Sequence, residues 1–276
     1  MKNCNQRIGL FDSGVGGLTV LREMYRQMPQ ESLLYFADSA RLPYGTRSQA
    51  EILDFVREIL DWMCNQDVKM IIMACNTSSA LALETVRQEY EIPILGVILS
   101  GAKAAVKVGR RIGVISTSAT AKSHAYRQAI QEINPQTEVW EVPCPKFVEL
   151  IEQNQLYTEH TKQIAQEYLQ PLLQNNIDTL IYGCTHYRHL ERTIRSLLPT
   201  RVQIIDPAEH IVSAAEKELS LLGLRSDRLP LPTRFYVSGS SKQFANISQQ
   251  WLGYYPQVTQ IPMKESSEIM VLNPVE

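Results

Sequence analysis

The chain has 276 residues and a formal net charge of -2, with a pI near 6.2, a balance that offers no electrostatic footing for nucleic acid or an anionic membrane surface. Hydrophobic residues make up 44% of it, yet no apolar run approaches the roughly 20 residues that span a bilayer. The length suits one large domain or two medium ones.

Residues 1–6 are polar and lead straight into an apolar run at 7–11, so no secretory signal is expected. That run, closed by Asp12-Ser13-Gly14, reads as a buried strand. Residues 18–28 read as a helix stopped by Pro29, and 33–37 as a second strand. Residues 49–65 read as a helix with Ile52, Phe55, Val56, Ile59, Leu60 and Met63 on one face. A strand at 68–74, a helix at 78–90 and a strand at 92–98 complete an alternation that predicts a parallel sheet covered by helices.

The order then restarts. Arg111-Ile112-Gly113-Val114-Ile115 mirrors Arg7-Ile8-Gly9-Leu10-Phe11 at an offset of 104 (111 minus 7). Met73-Ala74-Cys75-Asn76-Thr77 and Tyr182-Gly183-Cys184-Thr185-His186 match at an offset of 109 (184 minus 75), each after an apolar run and before a segment readable as a helix. Residues 202–206 match the strand that closes the first half. The expected fold is α/β, with two pseudo-symmetric domains at 1–98 plus 208–276 and at 99–207, and an active site between them. The tail reads as a helix at 208–222, a loop at 225–234, a strand at 235–238 and a helix at 243–252. It is too small to fold alone and is expected to pack back onto one of the halves.

Ligands gather at the carboxyl ends of strands in open parallel sheets. Each cysteine pentapeptide puts a thiol at such an end. Two thiols presented from two halves suggest an acid/base pair that moves a proton from one face of a carbon to the other. A helix N-terminus favours the thiolate and can also hold a carboxylate. Asn76, Thr77, Ser13 and Thr185 add short polar side chains suited to carboxylate and ammonium groups, and Asp12 and His186 are the nearest proton-relay candidates. The competing reading, that a buried free cysteine merely fills space, is weaker for the matched pair than for either alone. All five cysteines, odd in number and without C-x-x-C spacing, read as reduced thiols in a cytoplasmic protein.

Two other readings fit less well. Gly14-Val15-Gly16-Gly17, with Asp38 at the end of the second strand, invites a dinucleotide site. Thr19 occupies the sixth position of that fingerprint, and Asp12 would crowd a pyrophosphate, so the glycines read as a close backbone approach to a small ligand. Cys184, His186 and His189 lack the spacing of a metal site, and no metal is expected.

The segments 8–20, 37–45, Ala74-Cys75-Asn76-Thr77 and Gly183-Cys184-Thr185-His186-Tyr187 resemble the motifs of glutamate racemases, in the aspartate/glutamate racemase family. The resemblance runs in order from about residue 7 to 215. It implies a cofactor-independent enzyme that acts on glutamate in the cytoplasm and supplies D-glutamate for bacterial peptidoglycan. By it, Cys75 and Cys184 are the acid/base thiols, Asp12 assists Cys75, and His186 assists Cys184. Glu152 matches an acidic residue near the second cysteine. It also implies substrate contacts from Asp12, Ser13, Tyr44, Gly45, Asn76, Thr77, Thr117, Thr120, Thr185 and His186, and it assigns Cys75 to D-glutamate and Cys184 to L-glutamate. One departure is visible: Leu99-Ser100 stands where the family often has Glu-Pro, which implies a less rigid hinge between the halves. A homodimer is compatible with this reading, which does not fix oligomeric state. The rivals are a sister enzyme racemising aspartate, another amino acid or a hydantoin, and a catalytically idle binding protein; retention of both thiols with their polar neighbours argues against the last.

Overall fold

The structure, a computed structural model, describes residues 3–263. The first half runs β1 (Arg7–Asp12), α1 (Leu18–Gln27), β2 (Leu33–Ala37), α2 (Gln49–Cys64), β3 (Val68–Met73), α3 (Asn76–Glu89), β4 (Ile94–Gly96) and α4 (Val97–Val108). The second runs β5 (Arg111–Ser116), α5 (Ser118–Ser123), α6 (Ala125–Ile133), β6 (Glu138–Pro143), α7 (Lys146–Glu152), α8 (Glu159–Gln174), β7 (Thr179–Gly183), α9 (Glu191–Leu197) and β8 (Gln203–Ile205). Then come α10 (Pro207–Leu221), β9 (Arg234–Val237), α11 (Ser241–Leu252) and β10 (Val258–Gln260). Among the described residues no helix is long and apolar enough to cross a membrane.

Two parallel sheets result, ordered β10-β9-β2-β1-β3-β4 and β6-β5-β7-β8. The run β2-β1-β3-β4 repeats as β6-β5-β7-β8, so Cys75 and Cys184 follow corresponding strands, β3 and β7. Every residue of β1 and β3 is buried, as expected where helices cover both faces of a sheet. The tail adds β9 beside β2 and β10 beside β9, and α10 packs Ala208, Ile211, Val212 and Ala215 into the first sheet's core.

Helix α2 starts with a capping box: Ser48 Oγ accepts from the Glu51 N–H at 3.3 Å, and Glu51 Oε2 accepts from the Ser48 N–H at 2.9 Å. Its buried face is the one read from the sequence.

Two departures from expectation bear on the site. The strand expected at 92–98 ends at Gly96, and Val97 opens α4. Ile98, Ala102 and Ala105 recur at helical spacing and bury against the second sheet. Leu99-Ser100 therefore lies in the first turn of a helix, with Leu99 on its exposed side. After Cys184 the chain forms a 3₁₀ turn over Thr185–Leu190, and α9 begins only at Glu191.

Candidate active site

Three strand ends of each sheet meet around one cavity of about 60 Å³. From the first lobe come Ser13 after β1, Tyr44 and Gly45 after β2, and Cys75, Asn76 and Thr77 after β3. From the second come Thr117 after β5, Cys144 after β6, and Cys184, Thr185 and His186 after β7. On this measure a water takes roughly 10–15 Å³, so the space suits a ligand with the bulk of a handful of waters.

The lobes interlock by hydrogen bonds. Thr185 Oγ1 donates to Asp12 Oδ2 at 3.1 Å, and Tyr126 Oη donates to Asn76 Oδ1 at 2.6 Å. Thr77 Oγ1 lies 2.9 Å from Thr117 Oγ1 and 3.3 Å from Thr120 Oγ1. Glycines allow the closest approaches. A Cβ on Gly45 would sit 2.7 Å from Thr117 Cβ, and one on Gly16 would sit 2.4 Å from Thr185 Oγ1 and 2.5 Å from His186 Nδ1. The glycine loop thus presses its backbone onto the opposite lobe, and Asp12 Oδ1 accepts from the Gly14 N–H at 2.9 Å.

Gly16→Ala should cost about 10²-fold in kcat/KM, because Thr185 and His186 are held by hydrogen bonds to Asp12 and Glu152 and would be displaced by up to an ångström. Gly14→Ala, in the same loop, meets only the end of the Leu42 side chain at 3.1 Å and should cost far less. Steady-state kinetics on both variants, with thermal melts to confirm folding, checks the difference.

The thiols have opposite surroundings. Cys75 is the N-cap of α3, its sulfur 3.9 Å from Ser13 Oγ. Burial, and then the charge of Asp12, push this thiol up to about 12, against the favourable Ser78 N–H of the helix start. Helix polarity alone therefore does not make it a thiolate, as the sequence had suggested. Asp12 is itself raised, by burial first, against the opposing effects of His186, the Gly14 and Gly17 N–H groups and Thr185. Cys184 Sγ lies 3.8 Å from His186 Nδ1, while His186 Nε2 bonds Glu152 Oε1 at 2.9 Å. Burial opposes charge on His186, but its bonds to Cys184 and Glu152 and the nearby Cys184 and Asp12 charges outweigh that and raise it well above the ordinary imidazole range. Because a 3₁₀ turn follows Cys184, the local charge there comes from His186 more than from any helix dipole.

Of the residues nominated from sequence, Ser13, Tyr44, Gly45, Cys75, Asn76, Thr77, Thr117, Cys184, Thr185 and His186 line the cavity. Asp12 and Thr120 stand behind it, bonded to residues that do. Glu152, at the end of α7, lies beyond His186 and lines two neighbouring cavities. Tyr44 lines the cavity with its hydroxyl hydrogen already given to Asp38, which also takes Arg41 Nε at 2.7 Å. His189 does not join Cys184 and His186; its ring lies against Trp251 in a separate cavity.

Cys144, Val148 and Tyr187 line the cavity without having been nominated. Cys144 follows β6 just as Cys184 follows β7, a parallel that depends on recognising β6. Tyr187 Oη donates to the Cys144 carbonyl at 3.0 Å and fixes that wall.

The Asp/Glu/hydantoin racemase family model matches residues 8–215. The chain is 64% identical over 272 residues to a glutamate racemase of Gloeothece citriformis, covering 98% of each. It is 65% identical over 270 residues to one of Rippkaea orientalis, covering 98% of this chain and 94% of that one. Among solved structures it is similar to a glutamate racemase isoform of Bacillus anthracis, with a TM-score of 0.92 at 38% identity over 95% of this chain and 99% of that one. It is also similar to the glutamate racemase of Francisella tularensis in complex with D-glutamate, with a TM-score of 0.88 at 35% identity over 95% and 98% of the two chains.

Proposed function

This chain belongs to the Asp/Glu/hydantoin racemase family, and from that premise we propose that it interconverts L- and D-glutamate by two-thiol acid/base chemistry without a cofactor. The observation that carries the proposal is the entry of Cys75 and Cys184 into one cavity from two lobes, each with its own polar partner. Glutamate is the substrate named for relatives that match nearly the whole chain at 64–65% identity, and a similar structure holds D-glutamate.

In the proposed reaction Cys184 takes the α-proton of L-glutamate, and Cys75 delivers its own proton to the opposite face. The D-to-L direction reverses these roles. The surroundings of the two thiols differ in a way that supports this division: burial and Asp12 keep the proton on Cys75, while the imidazole beside Cys184 is raised well above its ordinary range. Asp12 serves Cys75, His186 serves Cys184, and Glu152 orients the imidazole through Nε2. Ser13, Asn76, Thr77, Thr117, Thr185 and the backbone at Tyr44-Gly45 hold the substrate, with Thr120 bracing Thr117. The two lobes, expected at 1–98 with 208–276 and at 99–207, supply one thiol each; residues 1–2 and 264–276 of the first lie outside the described residues. The D-glutamate formed serves peptidoglycan synthesis in the bacterial cytoplasm.

Purified protein without added pyridoxal phosphate, given L-glutamate in deuterated water, should form D-glutamate carrying deuterium at Cα. Recovered L-glutamate should stay mostly unlabelled at early times. Rapid labelling of recovered substrate before inversion would point to a single shared base and overturn the two-thiol reading.

A further inference from the structure

Asn76 opens α3 in the first lobe, is 3% exposed and lines the cavity. Its amide has two unlike ends, an oxygen that only accepts and an NH₂ that only donates. Which end faces a ligand is decided by what holds the other end. Here that partner comes from the opposite lobe. Tyr126, on α6, donates its hydroxyl to Asn76 Oδ1 at 2.6 Å. With the oxygen engaged, the NH₂ is left for the cavity, and no other described protein group bonds it. On the racemase reading above, we infer that Tyr126 is a positioning residue that orients the Asn76 amide so that its two N–H donors meet a carboxylate of the bound amino acid.

The tyrosine suits that task. Its ring is fully buried among Ile98, Ala102 and Ile130, and a Cβ on Gly101 of α4 would come within 3.3 Å of its Cε1. The hydroxyl is therefore held by packing that does not involve the cavity. Burial raises the phenol well above its ordinary range, ahead of smaller effects from Asp206 and Cys184, so it remains a donor at working pH. A turned-over amide would set its oxygen against the substrate carboxylate. Because the bond spans the lobes, the amide is oriented only where the lobes adopt this arrangement.

Tyr126→Phe removes one hydroxyl and leaves the ring. It should raise KM for both enantiomers about three- to tenfold, the worth of one hydrogen bond near 1 kcal/mol, with kcat changed little because substrate and transition state lose the same contact. Calorimetric Kd values for D-glutamate should weaken in parallel, and the melting temperature should stay close to that of the parent. In an Asn76→Ala background, which has no amide to orient, adding Tyr126→Phe should change Kd no further. An unchanged KM and Kd in Tyr126→Phe, a loss confined to kcat, or an additive loss in the double variant would each overturn the positioning role. A parent protein inactive on glutamate would instead overturn the racemase reading on which it rests.

Discussion

Cys75→Ala and Cys184→Ala should each lose racemisation in both directions by about 10³-fold or more, since each direction needs one sulfur as base and the other as acid. L- and D-glutamate have equal free energies, so kcat/KM must match in the two directions at every pH. The losses will therefore look symmetric although their causes are not. Cys75→Ala retains Cys184 with His186 3.8 Å from its sulfur, and it should exchange the α-hydrogen of L-glutamate for deuterium without inverting it. Cys184→Ala retains only the thiol held near 12 by burial and Asp12, and any exchange should be confined to D-glutamate and slower. Proton NMR of each enantiomer in deuterated water separates the cases, and both variants should still bind glutamate because the hydroxyl and backbone donors remain. Near-parental turnover by either variant would sink the mechanism.

The opposed surroundings of the thiols also bear on which variant can be rescued. Removing the charge with Asp12→Asn takes away the second cause of the Cys75 shift and leaves burial, the larger one. Asp12 also accepts from Gly14 and from Thr185 across the lobe boundary, so such a variant perturbs both closure and proton transfer. The glycine loop, Asp12 and Thr185 act as one structural unit.

Much of this site was legible in the sequence because its scaffold is buried. Strands covered on both faces read as uninterrupted apolar runs, and the first polar residues after them mark the carboxyl ends. Cys75, Cys184, Asp12 and Ser13 all sit at such points. The pattern failed where local signals were mixed. Thr185-His186-Tyr187 looks like a helix start, but Thr185 is tied to Asp12, His186 to Glu152 and Tyr187 to Cys144, so the chain takes a 3₁₀ turn before α9. In β6 only Val139 is buried, its other residues being half-buried or exposed, which hid that strand and with it Cys144. Glu152 was nominated only through family resemblance, because its link to His186 depends on how α7 packs against the 3₁₀ turn. Tyr126 gave no sign at all: its partner Asn76 lies 50 residues away on another lobe.

Glutamate should exceed aspartate in kcat/KM by about 10³-fold or more, since a site built to pair a charged oxygen rejects analogues that leave its donors empty by roughly 10⁴–10⁵-fold. The reacting carbon must lie between the two sulfurs, which fixes the α-carbon and leaves the side-chain carboxylate to reach its own donors. The Ser13 hydroxyl and the Tyr44-Gly45 and Thr185 backbone are nominated for that end, the hydroxyls of Tyr44 and Thr185 being engaged by Asp38 and Asp12. The walls cannot easily follow a shorter ligand inward. Gly45 lies against Thr117, Gly16 against Thr185 and His186, and Thr77 is bonded to Thr117 across the cleft. Aspartate, one methylene shorter, can place its α-carbon between the sulfurs or its second carboxylate on those donors, but not both. Coupled assays or chiral chromatography on both amino acids, in both directions, measure the ratio. Comparable efficiency on aspartate would remove glutamate as the preferred substrate and leave the two-thiol mechanism standing, because proton transfer depends on the sulfurs and not on side-chain length.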